Sequence, residues 1–322
     1  MTLKGPALQA GGTIGVPAPA TPYHNRSEVL RGMEWWESAG YHVKLADGVY
    51  ERDAYVAGDP KQRGRDITAL FADPEVDVVQ CFQGGYGSAQ AIPYIDFDVI
   101  KDNPKPFVGL SDITALHTAI RHYTDMVTFY GPGLASVDDA DRSPDEREFT
   151  RNRLLQALTS TDPLGEMPRK PGDDYIRALT SGKVSGQLVG GCLWLLGQAI
   201  GTEWQSDLDG KIFFFEDVDA PPWYIDGILN QMTQAGMLEG VIGVVVGELV
   251  RCDWSEARPE FPQSLSIEDV LERYIEPLGV PAIYGLPLGH GKNMATLPLG
   301  VEVTLDADGR QLVVDEPATA QA

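Results

Sequence analysis

The sequence is short of basic residues, of cysteines and of long apolar runs, and each shortage excludes something. Its 322 residues carry 25 Lys and Arg against 47 Asp and Glu, a formal net charge of −22. Nucleic-acid-binding surfaces gather cations against phosphate, so this balance argues against a nucleic-acid partner. It argues equally against docking on an anionic membrane surface. The plain reading of the charge is a well-solvated acidic exterior. No run approaches the ~20 apolar residues needed to span a bilayer. The stretch from Met1 to Gly11 has no apolar core behind a basic start, so no secretory signal is read there. Cys81, Cys192 and Cys252 are far apart, odd in number and without paired metal-ligand spacing. They form neither a disulfide framework nor a metal centre. Each lies in or beside an apolar run, which predicts buried, inert thiols. Cytoplasmic residence is the simplest expectation.

What is present suits a globular enzyme. Apolar residues make up 43% of the chain and charged residues 22%, and the length allows about two domains at ~100–200 residues each. Short β-rich runs at Thr13–Pro17, Tyr41–Leu45, Val76–Phe82 and Pro106–Leu110 alternate with helical patterns at Ser27–Ala39, Pro60–Ala72, Ser88–Tyr94 and Asp112–Tyr123. Continuous apolar runs bounded by turns suit strands buried on both faces of a parallel sheet. The rhythm predicts an N-terminal α/β domain over residues 1–160, a doubly wound, mostly parallel sheet of flavodoxin-like or Rossmann-like type. The acid-dense stretch Asp138–Glu148 breaks the rhythm, and Thr159–Asp174 is rich in Pro, Gly and charge. It places a linker or surface loop at 161–180. Residues 181–322 read as a smaller β-rich α+β domain. Its expected strands are Lys211–Glu216 and Val241–Val250, with a helix at Ile225–Ala235 and a hairpin turning at Asp308–Gly309.

The most informative local feature is Pro106-Phe-Val-Gly-Leu-Ser111-Asp-Ile-Thr-Ala-Leu-His117. A buried strand ends in a small polar residue and a helix begins at once. That design lifts a hydroxyl to the carboxyl end of the sheet, where open α/β folds bind ligands. In hydrolase nucleophile elbows the N–H after the nucleophile helps hold the oxyanion, and here it belongs to Asp112. The last glycine of G-x-S-x-G is missing, because Ile113 stands there. Taken alone, Ser111 is better explained as a helix N-cap. Upstream, Gln83-Gly-Gly-Tyr-Gly-Ser88 follows another buried run. Gly85 is the first choice for a second oxyanion donor, with Gly84 and Tyr86 as possible substrate contacts. A dinucleotide loop is a weaker reading, since only the first two glycines of G-x-G-x-x-G are present. A tight turn without function also remains open.

A serine nucleophile needs a base. His24, His42, His117 and His122 lie in an early loop, a strand-like run and the helix after Ser111, whereas His290 has glycine on both sides in Leu286-Pro-Leu-Gly-His-Gly. Such a loop presents an imidazole to a cleft. The base needs a carboxylate to orient it, and the apolar run Lys211-Ile-Phe-Phe-Phe ends in Glu216 and Asp217. Either acid, or neither, serves on this evidence.

At these residues the chain resembles the LD-carboxypeptidase family of serine peptidases, the muramoyltetrapeptide carboxypeptidases, which includes the microcin C self-immunity proteins. The matching stretches are Gly84–Ser88, Asn103–His117, Gly190–Leu193 with Gly201–Thr202, Phe215–Val218, and Pro287–Gly291 with Leu297–Gly300. They keep the family order across nearly the whole chain. The resemblance implies a triad of Ser111, Glu216 and His290, and an oxyanion hole from the N–H groups of Asp112 and of one residue in the Gly84–Gly85 pair. It implies a cleft between two domains, a homodimer, no metal and no organic cofactor. Cys192 departs from the pattern, where many members have asparagine. Family membership implies release of terminal D-alanine from a murein tetrapeptide. Arg251 and Lys292 are candidates to receive the substrate's carboxylate. The alternative within the family is a microcin-type immunity hydrolase acting on a peptidyl or aminoacyl nucleotide, for which Tyr175 is the aromatic offered before Gly186. An alternative from a different class is a non-catalytic protein binding nucleotides or acidic metabolites through the glycine loop.

Overall fold

A computed structural model describes residues 2–170, 172, 175–253 and 265–321. The first half folds as the rhythm predicts. Strands β1 (Thr13–Val16), β2 (His42–Leu45), β3 (Val78–Gln80), β4 (Phe107–Gly109) and β5 (Thr128–Tyr130) are parallel and lie side by side in the order β5-β4-β3-β1-β2. β3 and β4 are buried at every residue, which is why their sequences lack alternation. Helices α1 (Arg26–Ser38), α2 (Pro60–Ala72), α3 (Phe97–Asp102) and α4 (Thr114–Thr124) connect or flank them. α2 begins where sequence rules place it, with Pro60 in its first turn and the Asp59 carboxylate accepting from Lys61 N at 2.7 Å.

One local expectation is corrected: Ser88–Tyr94 is a 3-10 segment with Pro93 inside it, not an α-helix. The acid-dense stretch after Asp138 runs into a helix for which the sequence rhythm gave no expectation. After a short α5 (Leu134–Val137) comes α6 (Pro144–Thr159), opened by a capping box between Ser143 and Glu146. Its buried face is Thr150, Leu154, Ala157 and Leu158.

The second sheet contains β6 (Gly165–Glu166), β7 (Arg177–Ala178), β8 (Lys183–Cys192), β9 (Ile212–Val218), β10 (Gly243–Val250), β11 (Ala282–Tyr284), β13 (Glu302–Asp306) and β14 (Gln311–Val314), in the order β6-β14-β13-β8-β9-β10-β11-β7. β8 to β11 are parallel and the outer pairs antiparallel. Both edge strands, β6 and β7, come from the stretch expected as a linker, of which residues 171, 173 and 174 lie outside the described residues. β12 (Leu297–Leu299) leaves this half and pairs antiparallel with β5, so late chain completes the first sheet. The hairpin between β13 and β14 turns at Ala307–Arg310, with Gly309 N donating to Asp306 Oδ1 at 2.7 Å.

β9 shows how the halves meet. Phe213 and Phe215 belong to a core shared with α7 (Leu193–Gln198), α8 (Pro222–Gln234) and α9 (Ile267–Ile275). Phe214 joins the core of the first half, its ring 5.5 Å from Tyr130. Alternate residues of β9 thus face alternate domains.

Candidate active site

β4 delivers Ser111 to the carboxyl end of the first sheet. Its φ of +62° lies in the left-handed region, a conformation that costs a non-glycine residue on the order of 1–3 kcal/mol and collects at functional sites. The helix-cap alternative fails. The cap position of the 3-10 turn Ser111–Ile113 is Leu110, that of α4 is Ile113, and neither helix start has a side-chain cap. What holds the turn is Tyr130 at the end of β5, whose hydroxyl accepts from Ser111 N at 2.9 Å.

The same hydroxyl donates to Glu216 Oε1 at 2.5 Å. Glu216 is fully buried. Its other oxygen accepts from His290 N at 3.1 Å and from His290 Nδ1 at 2.7 Å. A continuous path therefore runs from the Ser111 backbone through Tyr130 and Glu216 to the His290 ring. The loop after β11 reaches this carboxylate because residue 289 is glycine. A β-carbon there would lie 2.2 Å from Glu216 Oε2, and its φ is +111°. Burial by itself would lower the His290 pKa. The Glu216 carboxylate outweighs it, and the imidazole is raised above its usual 6.5. Tyr130 is pushed well above its usual 10 by burial and by Glu216, so it stays a neutral donor.

The glycine loop packs directly on the serine turn. A β-carbon on Gly84 would lie 2.8 Å from Ser111 Cβ and 3.3 Å from Asp112 N, so only glycine permits this approach. Three side chains hold the loop. Thr21 Oγ1 accepts from Tyr86 N at 3.0 Å. The buried Arg63 donates from Nη1 to Gly87 O at 2.7 Å and to Pro19 O at 2.6 Å. Asp112 accepts from Ser88 N at 2.7 Å, while Ser88 Oγ donates to Asp112 O at 2.6 Å. Asp112 is itself buried, which raises its pKa. Across the domain boundary, Cys192 N donates to Thr114 Oγ1 at 2.9 Å.

A cavity of about 350 Å³ opens beside Ser111, with Gly85, Cys192, Asp217, Trp194 and Trp223 among its walls. Asp217 is 3% exposed and burial pushes its carboxyl up to about 6. It accepts from Trp194 N at 2.9 Å and Val218 N at 2.8 Å and makes no hydrogen bond with His290. Of the two acids that end this strand, the one hydrogen-bonded to the histidine is Glu216. All three cysteines are buried, and burial raises each thiol, Cys252 to about 12.

The remaining expected residues lie farther out. Arg251 forms a two-pronged pair with Asp219, which also lines the cavity, at 2.6 and 2.7 Å. Lys292 is exposed beside His290. Tyr86 stands edge-on to Tyr55 in a separate depression of about 520 Å³ that contains none of Ser111, Glu216 or His290. His117 is buried, its Nε2 on Gly109 O at 2.9 Å, and burial lowers its pKa to about 4. Tyr130, Thr21, Arg63, Ser88 and Thr114 carried no local sequence signal. Among the described residues no group of three His, Cys, Asp or Glu is placed to hold a metal ion, and no helix is long and apolar enough to cross a membrane.

The chain is similar in sequence and fold to known proteins. The LD-carboxypeptidase N-terminal domain model matches residues 14–131, and the LD-carboxypeptidase C-terminal domain model matches residues 185–305. The chain is 35% identical to the probable murein peptide carboxypeptidase of Bacillus subtilis, over 98% of its own length and 95% of the relative's. It is 28% identical to the microcin C7 self-immunity protein MccF of Escherichia coli, over 96% and 94%. Among solved structures it is similar to the muramoyltetrapeptide carboxypeptidase of Oxalobacter formigenes, with a TM-score of 0.78, 26% identity and coverage of 95% and 99%. The likeness spans both sheets, including the strand that ends at Ser111 and the strand that holds Glu216, and on this ground the chain belongs to the LD-carboxypeptidase family of peptidases.

Proposed function

We propose that the protein is a serine carboxypeptidase that hydrolyses an L,D peptide bond and releases terminal D-alanine from a murein tetrapeptide. The observation that carries the reading is the path Ser111–Tyr130–Glu216–His290, which ends beside a cavity large enough for an amino-acid side chain. The relative named as a murein peptide carboxypeptidase supports the substrate class.

In this mechanism Ser111 Oγ attacks the carbonyl carbon of the residue before D-alanine, and His290 Nε2 takes the hydroxyl proton. Nδ1 stays hydrogen-bonded to Glu216, which orients the ring and stabilises the imidazolium. The N–H groups of Asp112 and Gly85 receive the oxyanion, each worth about 10²–10³ in rate. His290 then protonates the leaving amine of D-alanine, and water hydrolyses the ester by the same route in reverse. The nucleophile comes from residues 1–160 and its two partners from 181–322. The pairing across the boundary, Cys192 N on Thr114, keeps the halves in register at the site.

The test is D-alanine release from murein tetrapeptide by the wild-type chain and by Ser111→Ala. The variant is expected to lose turnover by on the order of 10⁶-fold while still binding substrate. Equal release by the variant refutes Ser111 as nucleophile. Cleavage of an aminoacyl nucleotide with no D-alanine release moves the substrate to the class handled by microcin immunity proteins. Binding without any turnover favours a non-catalytic role.

A further inference from the structure

A second depression opens beside the glycine loop. Gly85 lines the cavity next to Ser111, and the following residue, Tyr86, lines the depression of about 520 Å³. A single peptide step therefore joins the two. Thr21, in the wall of the depression, accepts from Tyr86 N at 3.0 Å, and its own N–H donates to Gly84 O at 3.3 Å. A β-carbon on Gly85 would lie 2.1 Å from Thr21 Oγ1, so this wall rests on the proposed oxyanion donor. Another part of the wall is a tight turn closed by two bonds between Asp53 and Val56, at 2.9 and 3.0 Å. Ala54 in that turn has a φ of +52°, a left-handed conformation that collects at ligand sites. The turn presents Tyr55, 67% exposed, with its ring 5.5 Å from that of Tyr86, 48% exposed. Neighbouring large aromatics left open to water mark a contact surface.

The charge here is the inverse of the molecule's. The chain has 47 acidic against 25 basic residues, yet the described lining of this depression includes Arg52 and His24 and no carboxylate. Arg52 donates to Tyr23 O and lies 5.5 Å from the centre of the Tyr23 ring. It makes no ion pair with an acid among the described residues. A guanidinium held by neutral partners keeps donors for an incoming carboxylate, which it binds in a planar fork. The tyrosine rings beside it cover the apolar carbon of the same ligand.

A carboxypeptidase leaves one residue beyond the scissile bond, so the rest of its substrate lies on the acyl side. The depression is larger than the cavity beside Ser111 and exceeds what one terminal alanine fills. Resting on the reaction proposed above, we propose that the depression receives the segment upstream of the attacked residue, and that Arg52 and His24 select a segment bearing a carboxylate. The substrate class is thus an acidic peptide that extends beyond the scissile pair. Thr21 ties this depression to the oxyanion loop. Binding upstream therefore steadies the Gly85 N–H, and losing it lowers kcat as well as raising KM.

The experiment compares D-alanine release from three peptides: murein tetrapeptide, the same peptide with the free carboxylate of its second residue amidated, and the N-acetylated dipeptide ending in the same bond. The acid form is expected to exceed the amide by about 5-fold in kcat/KM. The tetrapeptide should exceed the dipeptide in kcat as well as in kcat/KM. Arg52→Met is expected to bring the acid-to-amide ratio within about 1.5-fold, and Arg52→Lys to keep part of it. Tyr55→Ala, an exposed site with little share in the core, is expected to shrink the tetrapeptide-to-dipeptide ratio about 3-fold. An amide cleaved as well as the acid, or ratios untouched by both Arg52→Met and Tyr55→Ala, overturns the assignment. So does an Arg52→Met effect confined to the contrast between free and amidated terminal D-alanine, which puts the leaving residue in the depression. Calorimetry separates failure of the subsite from failure of the reaction. The tripeptide that remains after D-alanine is removed, in acid and amide forms, is titrated into Ser111→Ala. Tighter binding of the acid supports the subsite even if no peptide is cleaved, and equal binding refutes the subsite while any cleavage stands.

Discussion

Tyr130→Phe removes one oxygen atom and tests how the site is held. The ring is 2% exposed and packs against Phe214 at 5.5 Å and His117 at 5.8 Å, contacts that phenylalanine keeps. The hydroxyl makes two bonds, and both go. Its 2.5 Å bond to the fully buried Glu216 is charge-assisted, worth about 1.5–3 kcal/mol, and its 2.9 Å bond from Ser111 N is worth about 1 kcal/mol. The expected loss of stability is therefore about 2.5–4 kcal/mol, read as a lower urea midpoint with an unchanged slope. Activity should suffer through position, not binding. Without Tyr130 the left-handed Ser111 turn has lost a tie that opposes its strain, and a misplacement of about 1 Å costs on the order of 10²-fold. The variant should show kcat reduced about 10–100-fold with KM nearly unchanged, measured by D-alanine release. Losing a donor also concentrates the Glu216 charge on His290, so the acid limb of the pH profile should move upward. Wild-type kcat together with wild-type stability would refute the argument that Tyr130 couples the nucleophile turn to the buried carboxylate.

The same geometry sets the pH dependence of the reaction and the tolerance of the His290 loop. His290 is raised above 6.5 in the folded state by Glu216, and only its neutral form accepts a proton, so kcat/KM should fall as pH drops through a midpoint above 6.5. Glu216→Gln should move that midpoint downward and lower kcat by about 10⁴-fold; a midpoint that stays put means another group sets the limb. The linked stability has the opposite sense: the Glu216–His290 pair contributes fully below pH 6.5, and the contribution is lost as pH rises through the raised value. Gly289→Ala places a methyl 2.2 Å from Glu216 Oε2 at a φ of +111°. It should cost about 10²-fold or more in kcat and lower the urea midpoint, and near-normal kinetics would show that the loop adapts.

Much of the fold was legible because its signals are local. β3 and β4 are buried on both faces and so read as continuous apolar runs, and α2 carries its own start signal in Asp59 and Pro60. α6 was overlooked because acid density hid its capping box and its buried stripe at Thr150, Leu154, Ala157 and Leu158. Pro93, which has no backbone N–H to donate, lies inside the 3-10 segment that follows the glycine loop. The placement of β12 beside β5 had no sequence signal, because the pairing joins residues more than a hundred positions apart.

The site divides along the same line. By itself the sequence determined that a hydroxyl stands at a strand-to-helix turn, that glycines precede it, that His290 lies in a glycine-flanked loop and that two acids end a buried strand. Those are properties of short segments, set by backbone sterics and apolar patterning. Local sequence left Glu216 and Asp217 open, the resemblance pointed to Glu216, and the tertiary structure shows which of the two meets His290 and why. Neighbours on a strand point to opposite faces, so one of the pair had to meet the first domain and the other the helices of the second. Phe214 and Glu216 face Tyr130, whereas Phe213 and Phe215 pack on the α7 and α8 side, where Asp217 holds the start of α7. Tyr130 belongs to the same decision: a tyrosine at the end of β5 acquires a role only when the packing of two sheets places a buried carboxylate 2.5 Å from its hydroxyl.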